Sequence, residues 1–545
     1  MRLTPLYIFA ALWLVSAPAV AQVTRDTVLK GTTIEVIQSY KPEVKMAPKK
    51  EYTSALPPAD TSRPRFSYEI PQQSLFYTYS SLPLRPLALG KDSVKLPFPN
   101  YARLGFGNLN TVLVDAGFGG WKGDNYETAI RLFHLSQRGP IEHQQTASSG
   151  LAAEGALHSA RYDWHAAFDF KRDQYGLFGY DHNKYEYTQN DSIRSVYTLL
   201  RATVDVQPAV GQYRRISYHP SVSVSNYSDN HTASENSFSF NAPFFYNVDS
   251  IQFELGISGT ATQYTTRPPF TGVSISESNS ILQLNPGFRI RQNGFSAHAF
   301  IRPTFGKNNT YLLPDIRLSY QIPNSQFILA AGWNAQLRRN TFEELSTYNP
   351  YLFNLYNVVQ NRADEIFGSI QTNVGSHVNF GARISWWQHT NLPLFLNDTL
   401  DGRQFYIVHD RVSALSFQAN IRYQVNTTFS LGLNTQFTSF NTTAQQEAWH
   451  EPGIRFGADF ILRPVPQLTI NGYLSVLNGI KAYNAVDQVV NTRGVFDMGA
   501  GAEYSFIPRL SAFVQLNNLL NNKYERWLGY NSYGFNIYGG LRLKF

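Results

Sequence analysis

The sequence contains no cysteine and only three methionines. Disulfides, thiolate metal sites, cysteine nucleophiles and a lipidated N-terminal cysteine are therefore excluded. Charge is also scarce, at 16% of residues against about 25% in a typical soluble protein. Beyond the first 21 residues no apolar run reaches the roughly 18 residues of a membrane-crossing helix, which excludes a helical bundle. The formal net charge of +7 is spread thinly, without the dense Lys/Arg block of a nucleic-acid binder. Aromatic residues are abundant instead: 33 Tyr, 38 Phe and 8 Trp, or 14% of the 545 residues, with a mean hydropathy of −0.29. Aromatic-rich, charge-poor chains are not disordered ones.

Residues 1–21 read as a secretory signal peptide. Arg2 supplies the positive start, Leu3 to Val15 the apolar stretch, and Ala19-Val20-Ala21 a small-x-small cleavage site. Residues 22–97 differ in composition from the rest of the chain. Residues 23–97 hold nine of the 28 prolines, with eleven Lys/Arg and seven Asp/Glu. Proline removes a backbone donor and fixes φ, so this density predicts an extended arm. It is either a periplasmic linker or a segment that enters or caps the C-terminal body, with Thr32–Gln38 and Ser74–Tyr79 as patches able to pair or dock.

Residues 98–545 are dominated by alternation. Phe535, Ile537, Gly539, Leu541, Leu543 and Phe545 share one face, while Asn536, Tyr538, Gly540, Arg542 and Lys544 share the other. The same period of two recurs over 378–386, 415–425 and 496–506, in runs of about 9–12 residues. Strands of soluble sheets average about 5–6 residues, whereas a tilted bilayer-crossing strand needs about 9–11. One face suits lipid, the other a wet lumen. Short turns are expected near 122–124, 162, 207–210, 249, 293–294, 323–324, 375–376, 426–427, 464–467 and 507–508. Longer polar, aromatic-dotted loops are expected at 338–362, 387–403, 438–452, 480–493 and 519–534. The loops 338–362 and 519–534 suit either sugar or peptide contact, or loop packing and an interfacial girdle. Short turns belong to the periplasmic side, so ten of them with both chain ends there give about 22 strands. The fold class is all-β: a closed antiparallel transmembrane β-barrel, since an open edge in hydrocarbon leaves backbone groups unsatisfied.

The segment Leu516-Asn517-Asn518-Leu519-Leu520-Asn521-Asn522-Lys523-Tyr524-Glu525, followed by Trp527-Leu528-Gly529-Tyr530 and a final strand ending in Phe545, resembles the end of TonB-dependent receptor barrels. Phe545 resembles the terminal aromatic signal read by the barrel-assembly machinery. Asp26-Thr27-Val28 and Asp92-Ser93-Val94 resemble Bacteroidota O-glycosylation triplets. The family carries a folded plug before its barrel; here the prolines of 22–97 replace any plug-like αβ pattern. The resemblance implies residence in the Gram-negative outer membrane and a part in transport or translocation across it. The alternative is a non-transporting scaffold or accessory subunit of an outer-membrane assembly or secretion complex. Expected partners are outer-membrane lipid, the assembly machinery during insertion, and other outer-membrane or periplasmic proteins, but not nucleic acid.

The twelve His residues are scattered. His134, His158, His165, His298 and His377 sit in alternating runs, as polar lumenal positions do. No i, i+4 pair beside a Glu makes a zinc site, and no catalytic or cofactor motif is present, so the chain reads as a non-enzyme. Arg383, Arg422 and Arg542 face the expected lumen, either to bias ion passage or to pair with nearby carboxylates.

Overall fold

In the computed structural model the described residues run from Asn100 to Phe545, except 190–192, 210–214, 269–271, 354–356 and 485–487. The expected signal peptide and extended arm lie outside them.

Alternating residues build one sheet of 24 hydrogen-bonded segments. Two pairs of segments are single interrupted strands, so the wall has 22 staves. They are β1 (Tyr101–Gly107), β2 (Val112–Lys122), β3 (Tyr126–Arg138), β4 (Gln145–His158), β5 (Tyr162–Gly176), β6 (Arg194–Pro208) and β7 (Ile216–Tyr218 with Ser221–Asp229). Then come β8 (Ser234–Val248), β9 (Ile251–Thr266), β10 (Ile275–Ser278 with Ile281–Gln292), β11 (Phe295–Phe305), β12 (Thr310–Gln321), β13 (Ile328–Arg338) and β14 (Asn361–Val374). The rest are β15 (Val378–Asn397), β16 (Phe405–Val425), β17 (Phe429–Thr442), β18 (Ile454–Val465), β19 (Leu468–Asn478), β20 (Val495–Ile507), β21 (Leu510–Asn517) and β22 (Asn536–Lys544). In β7 the break falls at Pro220, which has no amide to give the ladder.

All neighbours are antiparallel, and β22 pairs with β1 from Tyr101↔Lys544 to Gly107↔Tyr538. The wall is therefore closed and has no free edge. At this seam Gly105 lies opposite Gly540, and the Phe513 ring of β21 lies across them. An aromatic laid over paired glycines restores the packing they lack.

The outward face carries the apolar half of each alternation. Leu104, Leu255, Ile301, Leu312, Ile366, Ile384, Leu415 and Leu541 are all exposed. In a bilayer these positions meet lipid. Tyr162, Tyr246, Phe295, Tyr320, Tyr423, Phe429, Tyr504, Phe506 and Phe545 lie near the short-turn end, where an aromatic girdle belongs. The wall, its lipid face and its girdle make this an outer-membrane barrel.

The inward face is ionic. Arg131 pairs with Asp115 at 2.9 Å, Arg289 with Glu254 at 3.0 Å and Arg302 with Asp315 at 3.0 Å. Arg383 pairs with Glu365 at 2.6 Å and Arg542 with Glu503 at 3.5 Å. Two of the three lumenal arginines thus take the salt-bridged alternative. Arg422 makes no ion pair among the described residues.

Among the described residues the short turns fall where the sequence places them, while the one near 207–210 runs on into residues outside the described set. Asn293 and Gly294, both at positive φ (49° and 78°), form the two-residue turn between β10 and β11, as the hairpin twist requires. Asn100 and Phe545 meet at the same end, with the Phe545 amide donating to the Asn100 carbonyl at 3.2 Å. One loop expectation needs correction. Residues 387–403 are mostly not loop, because β15 and β16 continue to Asn397 and from Phe405. A bulge between His389 and Leu392 breaks the alternation there and disguises the strand.

Candidate functional site

The opposite, extracellular end of the barrel carries a folded lid. Its first part is helix α1 (Phe342–Tyr348). Thr341 caps it: its Oγ1 accepts from the Glu344 amide at 3.2 Å, and the Glu344 carboxylate accepts from the Thr341 amide at 3.3 Å. This reciprocal capping box satisfies two orphan donors.

The wall then holds the helix from several strands. The Phe342 amide donates to Glu235 Oε2 of β8 at 2.7 Å. The Arg201 guanidinium of β6 pairs with Glu343. The Tyr197 hydroxyl donates to the Pro350 carbonyl at 3.0 Å. Apolar contact joins the polar ties. Tyr197 and Tyr227 stack at 5.7 Å, 6° from parallel, and Phe342 sits 5.4 Å from both Tyr227 and Tyr264. Edge-to-face and stacked rings at these separations are favourable beyond their area burial.

A second loop enters from the C-terminal side. Glu525–Trp527 and Tyr530–Asn531 form a small hairpin after β21. Tyr530 stacks on Tyr351 at 3.4 Å and its hydroxyl donates to the Arg403 carbonyl. Trp527 packs edge-on to Phe395 and Phe405 at 5.2 and 5.4 Å. The asparagines of the receptor-like segment shape this turn: Asn518 and Asn521 adopt positive φ (47° and 52°), a region Asn tolerates. Asn518 Oδ1 also accepts from the Asn522 amide at 2.9 Å.

A third loop, 443–453, completes the lid. Asp410 fastens its start by accepting from the amides of Thr443, Ala444 and Gln445 at 3.1, 3.0 and 2.9 Å. Its end forms a latch. Arg526 donates to the His450 carbonyl at 2.6 Å and to the Tyr348 hydroxyl at 2.7 Å, and that hydroxyl donates to Glu451 at 2.8 Å. His450 is fully buried. Its Nδ1–H donates to the Phe395 carbonyl at 2.7 Å, which leaves Nε2 as the acceptor facing the Leu528 amide. Burial, with the Arg526 cation beside it, pushes His450 down to about 3. Burial pushes the Glu451 carboxyl and the Tyr348 phenol up. A buried neutral His and the Arg526–Tyr348–Glu451 chain of hydrogen bonds thus join the three loops.

Under α1 lies a chamber of about 910 Å³ bounded by the inward faces of β9, β10 and β13–β18. Its surface is mixed: hydroxyls and amides from the wall, the Trp387 and Phe440 rings, and the side chains of Glu344, Leu345 and Tyr348 from above. Among the described residues no group of three His, Asp or Glu is placed to hold a metal ion.

The structure thus unites loops 338–362 and 519–534, which the sequence singles out separately, and uses their aromatics for packing against each other and the wall. Phe545 is exposed at the far end of the barrel, 6.0 Å from the Phe118 ring, and takes no part in the lid. The lid helix is absent from the elements expected of the sequence, although Thr341-Phe342-Glu343-Glu344 carries a capping-box pattern ahead of Leu345.

No family model and no curated protein matches the chain. Solved structures do. The ferric-catecholate import receptor Fiu of E. coli K12 aligns with a TM-score of 0.63 at 10% identity, over 82% of each chain. The siderophore receptor PiuA of Acinetobacter baumannii aligns at 0.60 and 9%, over 83% of this chain and 82% of its own. The ferripyoverdine receptor of the Pseudomonas aeruginosa outer membrane aligns at 0.61 and 10%, over 82% and 72%. These are TonB-dependent receptors with 22-strand barrels, and the likeness is one of fold.

Proposed function

We propose that this outer-membrane barrel takes part in transport or translocation across the outer membrane, with two barriers in series along its lumen. The first is the lid. The second is the proline-rich segment 22–97, acting from the periplasmic side in place of a folded plug. The observation that carries the reading is the aromatic junction of α1, Trp527, Tyr530 and the wall. A mouth closed by a buried core, rather than by loose loops, is a closure with a defined open alternative. A wall of 22 staves is wide enough that an unblocked lumen conducts.

Planar-bilayer conductance tests this. The full chain is expected to stay closed. Deleting 22–97 together with Tyr530→Ala is expected to give steady, large-pore current. If the doubly altered barrel inserts and still does not conduct, the transport reading fails.

A second reading is a scaffold or accessory subunit of an outer-membrane assembly or secretion complex. The reach of β15 and β16 favours it. They are 20 and 21 residues long, roughly twice a membrane crossing, and lift Leu400, 75% exposed, above the mouth. Purification from the native membrane separates the two, since a scaffold copurifies with a stoichiometric partner. Catalysis forms no part of either reading.

A further inference from the structure

We propose that the chamber beneath the lid is a binding site for an acidic sugar: a polyhydroxylated ring compound carrying a single carboxylate. This rests on the transport reading and names the class of solute the barrel admits.

Ser416, Gln418, Gln436 and Thr438 on adjacent strands β16 and β17 face inward, alternating with Leu415, Phe417 and Phe437, which are exposed on the lipid side. Amides and hydroxyls each combine donor and acceptor atoms. They match sugar hydroxyls, which do the same. Gln436 Nε2 already donates to the Ser416 and Thr438 hydroxyls at 3.3 and 3.1 Å. The row is thus held in place before a ligand arrives, which lowers the ordering cost of binding.

Beside this row stands a stacked pair of rings. Trp387 and His389, two apart on β15, lie 8° from parallel with centroids 5.8 Å apart. An aromatic ring beside a polar row suits a molecule that is apolar on its ring faces and polar around its edge. A purely apolar ligand would leave the row unsatisfied, at a cost of about 1–3 kcal/mol per buried group. A chamber of about 910 Å³ sits near the upper end of the range of small-molecule sites, about 300–1,000 Å³, so it takes more than one ring.

Charge then selects the acid. Both carboxylates on the chamber's surface face arginines: Glu344 lies 3.7 Å from Arg339, and Glu451 3.2 Å from Arg455. Arg338, opposite Asn361 at the end of β13, also lines the chamber and has no carboxylate partner among the described residues. One unbalanced guanidinium, with its fork of donors, matches one carboxylate.

The test uses the full chain in detergent micelles, with ligand-induced quenching of tryptophan fluorescence and calorimetry as readouts. The probes are a trisaccharide with a single uronic acid residue (aldotriouronic acid), a neutral trisaccharide (maltotriose) and inorganic phosphate. Each is run on the wild type and on Arg526→Ala, which unlatches the lid and so removes any barrier to entry. Aldotriouronic acid is expected to bind at least tenfold more tightly than maltotriose, and phosphate not at all. Arg338→Gln is expected to erase the preference for the acid while retaining weak binding of both sugars. Trp387→Ala is expected to lose both sugars and the quenching. Heat-modifiable migration on gels verifies that each variant keeps its barrel.

No binding of either sugar to the unlatched barrel overturns the proposal, as does an unchanged acid preference in Arg338→Gln, or binding of phosphate in place of sugar. None of these outcomes bears on conductance. A conducting barrel that binds no sugar refutes the site alone, whereas a sugar-binding barrel that never conducts refutes transport.

Discussion

The Tyr227 hydroxyl donates to Ser346 Oγ, 2.8 Å away. The direction is set by the neighbouring bond, because the Ser346 hydroxyl spends its one proton on the Phe342 carbonyl at 2.7 Å. A residue of β7 is thereby bonded to the middle of the lid helix, 119 positions along the chain. Tyr227→Phe removes the donor and keeps the ring. It is expected to weaken the lid by about 1 kcal/mol, whereas Tyr227→Ala also removes a packed ring and costs about 3–5 kcal/mol. Limited proteolysis within 339–360 measures both, and Ala should be cut much faster than Phe.

Arg526 joins His450 and Tyr348 and lies over the Trp527 ring at 4.4 Å. Arg526→Ala is expected to separate the C-terminal hairpin from α1 while leaving the 22 staves intact. It removes the charged hydrogen bonds to the His450 carbonyl and the Tyr348 hydroxyl, about 1.5–3 kcal/mol each, while Glu451 keeps Arg455 at 3.2 Å. Cysteine scanning checks this simply, since the chain has no cysteine of its own. A thiol placed at the buried Ala448 of the third loop (Ala448→Cys) should react with a water-soluble maleimide in the Arg526→Ala background and not otherwise.

His450 makes the lid sensitive to acid. Its folded pKa, about 3, lies below the value of about 6.5 that it has when released. The open lid therefore binds the extra proton, and the closed lid loses about 1.4 kcal/mol per pH unit below about 6.5. Glu451 acts in the opposite sense, because its folded pKa is raised. Closure gains as pH falls through that folded value, so the His450 slope flattens there. Urea-induced exposure of Trp527 at pH 7.5, 6 and 5 should show progressively easier opening in the wild type. His450→Gln should abolish or reverse the trend.

Closure of the wall depends on Gly540. A Cβ there would stand 1.8 Å from the Leu104 carbonyl oxygen, a backbone atom that cannot move without breaking the β1–β22 ladder. Gly540→Ala is expected to impair closure and leave the chain unfolded or degraded. Heat-modifiability of the barrel in isolated outer membranes reads this directly, with Gly368→Ala, whose Cβ meets nothing nearer than 3.9 Å, as the tolerated control.

The wall was legible in the sequence because its rules are local. Alternation over Phe496–Phe506 or Leu415–Val425 fixes which face meets lipid, and Asn293-Gly294 fixes a turn with two residues. The lid was not legible, because its determinants are distant. Phe342 is completed by Glu235, Tyr197 by Pro350, and Arg526 by His450. Nothing in the spacing of those residues announces that they meet. The extra height of β15 and β16 was hidden by a single bulge, which shifts the alternation at Thr390-Asn391.

Amide hydrogen exchange on the full chain in nanodiscs at pH 7.5 tests the central claim, that a folded lid shuts the mouth of a closed wall. The amides of Phe342, Leu345 and Asn349, bonded to Glu235, Thr341 and Leu345, should exchange about as slowly as those of β6–β9. In Tyr227→Ala they should become fast while the staves stay slow. Wild-type lid amides that exchange as fast as those of an exposed loop would contradict the account.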